Sequence, residues 1–391
     1  MHIGFLASEL APYAQAGGLG DVARWLPIAL ARAGHRVDVA VPHYDVLDRH
    51  GEALRPVRTP READLGDLGV ATFSILGDPA PGRPTIWLVD LPEWFRRGDL
   101  YGDGDGHLRY TAFVRAAMAL AEMRGRVPDV LHANDWHTAH APLVGAARGG
   151  PWAGVPTVLT VHNPAFQGWF PTSDLDRLGL GGVADRLDDS DIEQGWVSTL
   201  KEGIRHADLV TTVSPSYADE ILTPDGGMGL EEEFRSLGDR LVGILNGIGD
   251  DWDPATDPAL AAPFDAADPS GKVVNTGALR AHFGLADRRV PVLGVVSRLT
   301  EQKGFHLAFD TLEDRLAAGA IQLVAIGTGE PAIEESFQAL SDRFPDDAGY
   351  HRGFDIPLSH LIEAGSDLFL MPSRFEPCGL NQMYSMAYGT I

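Results

Sequence analysis

The run Ser373-Arg374-Phe375-Glu376-Pro377-Cys378-Gly379-Leu380 sets a carboxylate, a thiol and a glycine-opened helix directly after an apolar stretch, Asp367 to Met371. At the carboxyl edge of a sheet a buried Glu376 can fix sugar hydroxyls, while the amides at a helix start hold an anion. Taken alone, the run could equally be a turn with one surface glutamate. A second run, Ser297-Arg298-Leu299-Thr300-Glu301-Gln302-Lys303-Gly304, follows the apolar stretch Val290 to Val296. Its two cations, Arg298 and Lys303, can neutralise charge developing on a departing phosphate, in place of a metal ion. A surface salt bridge is the alternative. Against it, lysine occurs only at Lys201, Lys272 and Lys303, and Lys303 stands at a strand-to-helix junction where an anion would sit.

The first half carries three further candidates. Glu9 and the run Gln15-Ala16-Gly17-Gly18-Leu19-Gly20-Asp21 follow the first strand-like segment and open the first helix, where glycines let backbone N–H groups approach a diphosphate. Gly17, Gly18 and Gly20 lack the spacing of the dinucleotide fingerprint, which argues against a nicotinamide enzyme. His132-Ala133-Asn134-Asp135-Trp136-His137 ends a strand and begins a helix, so Asn134 or Asp135 could be only a cap, and the histidine spacing does not suit zinc. His162-Asn163-Pro164-Ala165-Phe166-Gln167-Gly168 puts His162 at the same sheet edge. Asp103-Gly104-Asp105-Gly106 and Asp250-Asp251-Trp252-Asp253 lack the remainder of a calcium loop and are expected to be solvated turns.

Positioning such groups requires an α/β scaffold, and the pattern supplies one. Strands are expected at His2 to Ala7, Arg36 to Val41, Thr85 to Val89, Val130 to His132, Thr157 to Val161 and Leu209 to Val213, with helices at Gly20 to Ala33, Leu108 to Arg124 and His137 to Ala147. A Pro, Ala and Asp-rich connector that begins after Asp250-Asp251-Trp252-Asp253-Pro254 and runs to about Pro269 marks a domain boundary. The pattern then restarts: strands at Val290 to Val296, Ile321 to Ile326 and Asp367 to Met371, and helices at Phe305 to Leu316, Ala332 to Arg343 and Leu380 to Tyr388. Gly389-Thr390-Ile391 reads as a helix cap and the start of one more strand, so a truncated C-terminus is expected.

A chain of 391 residues, 44% of them hydrophobic, can bury two cores. A net charge of −24 repels nucleic acid and anionic membranes, so a phosphate-bearing ligand must be held by local cations. With no apolar membrane span, no basic leader and a single cysteine, Cys378, a cytoplasmic protein is expected.

In this order the motifs resemble the bacterial glycogen synthases of the starch synthase type, along the whole chain: Gly17-Gly18-Leu19, His132 to His137, His162 to Gly168, Thr212-Val213-Ser214, Asn246-Gly247-Ile248, Ser297 to Gly304 and Ser373 to Leu380. The resemblance implies an α/β GT-B glycosyltransferase of two facing Rossmann-like domains. Residues 1–249 would be the starch synthase catalytic domain on the acceptor side, and 250–391 the donor-nucleotide domain, incomplete at its end. It implies retaining transfer of glucose from ADP-glucose to the non-reducing end of an α-1,4-glucan, with no cofactor, no metal, no nucleic-acid partner and no membrane. It assigns Arg298 and Lys303 to the diphosphate and leaving group, Gly17 and Gly18 to it through their amides, and Glu376 to the donor glucose hydroxyls. His162 and Asp135 would line the glucose pocket with Asn246 nearby, and Cys378, Gly379 and Leu380 would form the second wall. Glu9 and Gln15 join the substrate-binding set. The retaining step implied is same-face attack through an oxocarbenium-like state, with no carboxylate nucleophile.

Three departures from the family pattern stand out. Gln15 replaces a lysine, which is expected to weaken donor binding or turnover. The chain stops where the family continues with further strands and a helix, so as it stands it is expected to be poorly soluble or nearly inactive. Gly249 replaces an aspartate, without an evident consequence. The competing readings are a related transferase with a sugar-phosphate acceptor and a non-catalytic glucan-binding protein.

Overall fold

Runs of Val, Leu and Ile separated by amphipathic stretches fold into a mainly parallel sheet in each of two compact units, Met1–Asn246 and Gly247–Ile391, against an expected division after residue 249. The computed structural model describes residues 1–50, 54–56, 62–77, 80–98, 100–102 and 104–391. Asp103 of the first acidic loop lies outside them.

The strands of the first unit are β1 (His2–Leu6), β2 (Arg36–Pro42), β3 (Leu54–Pro56), β4 (Glu62–Asp64), β5 (Val70–Leu76), β6 (Thr85–Asp90), β7 (Val130–Asn134), β8 (Thr157–Val161), β9 (Trp169–Pro171), β10 (Trp196–Ser198), β11 (Leu209–Thr212) and β12 (Leu241–Gly243). Among the described residues the main sheet runs β12-β11-β8-β7-β1-β2-β6-β5-β3, with β4 beside β5 and a separate β9–β10 ribbon. From β12 to β6 all pairings are parallel; β5, β3 and β4 add an antiparallel edge. The chain proceeds from β1 to β2 and β6 on one side and returns to β7 on the other. Order therefore reverses between β1 and β7, and their carboxyl ends open the crevice where such sheets bind ligands.

Helices α1 (Gly18–Arg32), α2 (Gly106–Met123), α3 (Asp135–Ala139), α4 (Ala141–Arg148) and α5 (Thr199–His206) accompany this sheet. The single helix expected over 137–147 is two, separated at His140. Pro142 explains the break: it has no N–H to give Thr138 O, and in the first turn of the second helix none is needed.

In the second unit β13 (Val292–Val296), β14 (Gln322–Gly327), β15 (Ala348–Arg352) and β16 (Leu368–Phe369) pair in parallel in the order β15-β14-β13-β16. The reversal here lies between β13 and β16. Every residue of β14 is buried, because both faces are covered: Leu323 and Ala325 pack with Val295, Phe337 and Leu340, whereas Val324 and Ile326 pack with Leu279, Leu358 and Ile362. The helices are α6 (Ser270–Phe283), α7 (Phe309–Ala317), α8 (Pro331–Arg343), α9 (Ile356–Gly365) and α10 (Leu380–Ala387). The pattern had assigned nothing to α6, β15 or α9.

One expectation needs correcting. The strand expected over 367–371 is only Leu368–Phe369, and Pro372 then turns the chain without an amide for the ladder. Ile391 runs alongside it: its N–H donates to Asp367 O (3.3 Å) and its carbonyl accepts from Phe369 N (2.7 Å).

The stretch after residue 250 has no helix or strand and is mostly exposed, as expected of a turn and a connector, but Trp252, Asp257 and Phe264 anchor it to the unit. Trp252 is sandwiched between His360 (3.9 Å) and Tyr384 (3.7 Å), with interplanar angles of 14° and 9°. Asp257 accepts from His360 Nδ1 at 2.7 Å and from the Tyr388 hydroxyl. Burial pushes the Asp257 carboxyl up, but the bonds from His360, Tyr388 and the Ala259 amide outweigh it and hold the group below its ordinary value. Lys272 Nζ donates to Ala364 O (3.0 Å), Tyr388 O (3.0 Å) and Thr390 Oγ1 (2.7 Å), and burial lowers its pKa to about 8.

Because its folded value is depressed, Asp257 stabilises the unit above the ordinary aspartate range, and that contribution is lost as pH falls through the folded value. Tyr388→Phe removes a donor from this carboxylate and is expected to cost about 1.5–3 kcal/mol in urea unfolding at neutral pH. A smaller loss at pH 3 than at pH 7 is expected; equal losses at both would count against the charged hydrogen bond.

Candidate active site

Asn134 ends β7, and Asp135 opens α3 with φ +52, a left-handed conformation that an aspartate adopts at some cost. The turn brings Asp135 to the end of β8, where its Oδ1 accepts from the backbone N–H of His162 (2.7 Å) and Asn163 (3.3 Å). Burial raises the Asp135 carboxyl to about 7, against the pull of those two amides. Asn134 Nδ2 donates to Leu6 O at 2.9 Å, tying β7 to the end of β1. Its Oδ1 must then accept, so His162 Nε2 donates to it at 3.0 Å, leaving Nδ1 as the lone-pair nitrogen. Burial lowers His162 to about 4, which keeps the ring neutral at pH 7.

Glu9, three residues beyond β1 and 4% exposed, is a clamp for the glycine-rich loop. Its Oε2 accepts from Ala16 N (2.9 Å) and Gly17 N (3.0 Å), and its Oε1 from the Tyr101 hydroxyl (2.6 Å). The amide of Gly17 is therefore taken by a carboxylate of the protein, which corrects its expected role toward a diphosphate. Gly18 is the first residue of α1, whose start has no side-chain cap. Gln15 folds back over its own loop, donating from Nε2 to Asp21 Oδ2 (2.8 Å) and Gly17 O (3.2 Å). Asn246 closes the unit, beyond β12, whose ladder extends to the Ile244 N–H on Thr212 O (2.8 Å).

A cavity of about 290 Å³ is lined by Tyr101, Arg109, Trp136, Gly168 and Trp169, among others, and meets the glycine-loop clamp through Tyr101, the partner of Glu9. Glycines make room for its indole: a Cβ on Gly106 would come within 2.6 Å of the Trp136 ring, and one on Gly168 within 2.3 Å. Tyr101 stacks on His137 at 5.0 Å.

In the second unit the loops after β13 and β16 are stitched together at the reversal point. Gly304, at φ +69, allows the approach, since a Cβ there would lie 2.1 Å from Pro372 O. Arg374 N donates to Gln302 O (2.9 Å), Gln302 Nε2 to Phe375 O (3.3 Å), and Arg374 pairs with Glu301 (2.6 Å). This frame holds Lys303 Nζ 2.7 Å from Glu376 Oε2, which also accepts from Ser373 Oγ at 3.0 Å. Arg298 is exposed on the same loop as Lys303. Cys378 is half-buried, Gly379 takes φ +79, and Leu380 begins α10, which Asn381 Nδ2 anchors to Val296 O (2.6 Å).

The structure thus joins Asp135 with His162, Glu9 with the glycine loop, and Lys303 with Glu376. Sequence reading missed Tyr101, Asp21 and Ser373 as partners and Asn134 as more than a cap. Ser373 and Asp21 lie inside quoted motifs, so their signal was local; Tyr101 had none. Among the described residues no group of three or more His, Cys, Asp or Glu side chains could hold a metal ion, and no helix is long and apolar enough to cross a membrane.

Residues 2–236 match the family model of the starch synthase catalytic domain. The chain is 45% identical over 402 residues to the glycogen synthase of Anaeromyxobacter sp. (strain Fw109-5), covering 100% of this chain and 82% of that protein. Against the glycogen synthase of Streptococcus sanguinis (strain SK36) the identity is 42%, with 100% and 83% covered. Among solved structures, the catalytic domain of starch synthase IV from Arabidopsis thaliana, bound to ADP and acarbose, superposes with a TM-score of 0.90 at 37% identity, covering 100% of this chain and 82% of that one. A sucrose-phosphate synthase from Thermosynechococcus elongatus, at 16% identity, TM-score 0.59 and coverage of 100% and 79%, shares the fold alone. These neighbours are GT-B glycosyltransferases, and the chain has that α/β fold class. With a strand-end site in each sheet and these likenesses along its whole length, the chain belongs to the starch synthase and glycogen synthase family of glucosyltransferases.

Proposed function

We propose that the protein transfers glucose from ADP-glucose to the non-reducing end of an α-1,4-glucan, with retention at the anomeric carbon. The observation that carries this reading is the Lys303–Glu376 pair, a cation and a carboxylate fixed side by side at the reversal point of the second sheet. On this reading Arg298 and Lys303 take the charge of the donor diphosphate, Glu376 accepts hydrogen bonds from the donor glucose, and Cys378, Gly379 and Leu380 flank it. The first unit contributes Asp135 and His162 to the glucose, with Asn246 nearby, while Glu9 and Gln15 shape the loop that leads into Gly18. The C1–O bond to the phosphate breaks as the acceptor 4-hydroxyl bonds C1 on the same face, and its proton passes to the departing phosphate oxygen. No cofactor or metal is assigned a part, because two protein cations stand on the leaving-group loop. The ADP bound to the Arabidopsis relative supports adenine over uracil, and its acarbose supports a glucan acceptor. The cytoplasm is the compartment that fits such substrates.

Radiolabelled ADP-glucose and UDP-glucose, each offered to glycogen and to glucose 1-phosphate, test the reading. Label entering glycogen from ADP-glucose is expected; label entering glucose 1-phosphate alone would overturn it. Lys303→Ala is expected to lower kcat by roughly a hundredfold or more, because it removes charge stabilisation from the leaving group.

The Gln15 amide now pairs with Asp21, where a lysine would bring a charge beside both Asp21 and the donor. Gln15→Lys is expected to raise kcat/KM for ADP-glucose about tenfold, the value of one charge-assisted hydrogen bond. An unchanged kcat/KM would remove the substitution as a cause of weak activity.

Asp135 supplies a pH dependence. With its value raised to about 7, the folded protein favours the protonated acid, so stability from this group is greatest in acid and is lost as pH rises through about 7. Acceptance of a sugar hydroxyl improves with the carboxylate, so activity is expected to rise through the same range. In Asp135→Asn that limb of the kcat/KM profile should vanish; its survival would assign the limb to another group.

A further inference from the structure

The β9–β10 ribbon stands apart from the main sheet, with three directly opposed pairs. Strand alternation sends Phe170 and Val197 to one face, where each is 1% exposed, and Trp169, Pro171, Trp196 and Ser198 to the other, where Ser198 is buried under the Gln167 turn, its Oγ donating to Gln167 O. Trp169 is 49% and Trp196 50% exposed. Trp196 opposes Pro171, so Trp169 is its diagonal neighbour, roughly 7–8 Å away along the ribbon and within reach of one extended ligand. A single exposed apolar side chain needs no cause, but two indoles adjoining on one face, with Phe166 exposed in the preceding loop, form a patch.

Chemistry narrows what would cover it. The net charge of −24, with exposed Glu193 and Gln194 just before Trp196, disfavours polyanions and acidic membranes. A flat aromatic surface with a wet rim suits a neutral sugar ring, whose C–H face packs on an indole while its hydroxyls stay in water. Continuity points the same way, since Trp169 also lines the cavity of about 290 Å³ with Tyr101 and Trp136. Aromatic groups therefore run from inside the cavity onto the outer face of the ribbon.

We propose that this outer face is a docking platform for the α-1,4-glucan acceptor, on which Trp169 and Trp196 stack the part of the chain that extends beyond the cavity. The proposal rests on the glucan acceptor proposed above. It gives long, branched acceptors an advantage that short oligosaccharides cannot share.

The test is Trp196→Ala beside Trp196→Phe, with retention in glycogen-containing native gels and kinetics on glycogen and maltotriose. Trp196→Ala is expected to weaken retention and raise KM for glycogen about five- to tenfold, leaving kcat and KM for ADP-glucose and for maltotriose unchanged. Trp196→Phe should recover most of the loss. Unchanged retention overturns the proposal, as does an equal defect on both acceptors, which would place the effect in the fold or the chemistry. Sedimentation that shows self-association lost in Trp196→Ala, with retention intact, would make the ribbon a protein contact and overturn it too. Trp196-dependent retention without glucose transfer by the wild type would uphold the platform and refute the transferase reading. Normal transfer with retention indifferent to Trp196 would refute the platform alone.

Discussion

An ammonium held 2.7 Å from a carboxylate, at the one place where the second sheet reverses its order, is the constraint around which that unit is arranged. The Lys303 and Glu376 side chains are 17% and 22% exposed, so their attraction is largely offset by water and adds little to stability. Yet the surrounding backbone is committed to holding them: Gly304 against Pro372, Arg374 N on Gln302 O, Gln302 on Phe375 O. Rigid elements spent on a weak pair indicate that the pair serves something other than folding. On the proposed reading the cation turns from its carboxylate to the departing diphosphate, and the carboxylate is left to accept a sugar hydroxyl.

The first unit solves a different problem, that of holding a carboxyl group in a buried place. Asp135 is 9% exposed, and among the described residues the backbone amides of His162 and Asn163 support its charge. Burial and amides oppose one another, which is why the group settles near neutrality and not at either extreme. The left-handed backbone at Asp135 and the bond from Asn134 to the end of β1 give this geometry its rigidity. His162, neutral and with its tautomer fixed by Asn134, contributes direction without charge.

The strand-end motifs were legible because their chemistry is local. A run of Val and Leu followed by Asn134-Asp135, His162 or Arg298 announces both the strand and the edge at which it stops. What could not be read are partners chosen by the fold: Tyr101 for Glu9, 92 residues away, or Tyr388 for Asp257, 131 residues away. Residues 250–269 show the same limit. Their Pro and Asp content describes a mostly exposed chain without regular structure, which it is, but not that Trp252 stacks on His360 and Tyr384. In α3 and α4 the apolar spacing suggested one helix, and a single proline outweighed it.

The motif glycines divide into two kinds, and the division bears on where a ligand meets the backbone. Gly304 is demanded by packing: it is left-handed, and a Cβ would strike Pro372 O. Gly168 is likewise left-handed, and a Cβ there would strike Trp136 and Thr199. Gly17 is not of this kind. At φ −164 its backbone is extended, as any residue allows, and among the described residues a Cβ on it would meet nothing within 4 Å. Its own N–H is already given to Glu9, so the clamp fixes the loop while the uncapped start of α1 at Gly18 faces outward. Neither conformation nor packing reserves position 17 for glycine. On the proposed transferase reading, the exposed α1 start at Gly18 is the part of this loop left to meet the diphosphate.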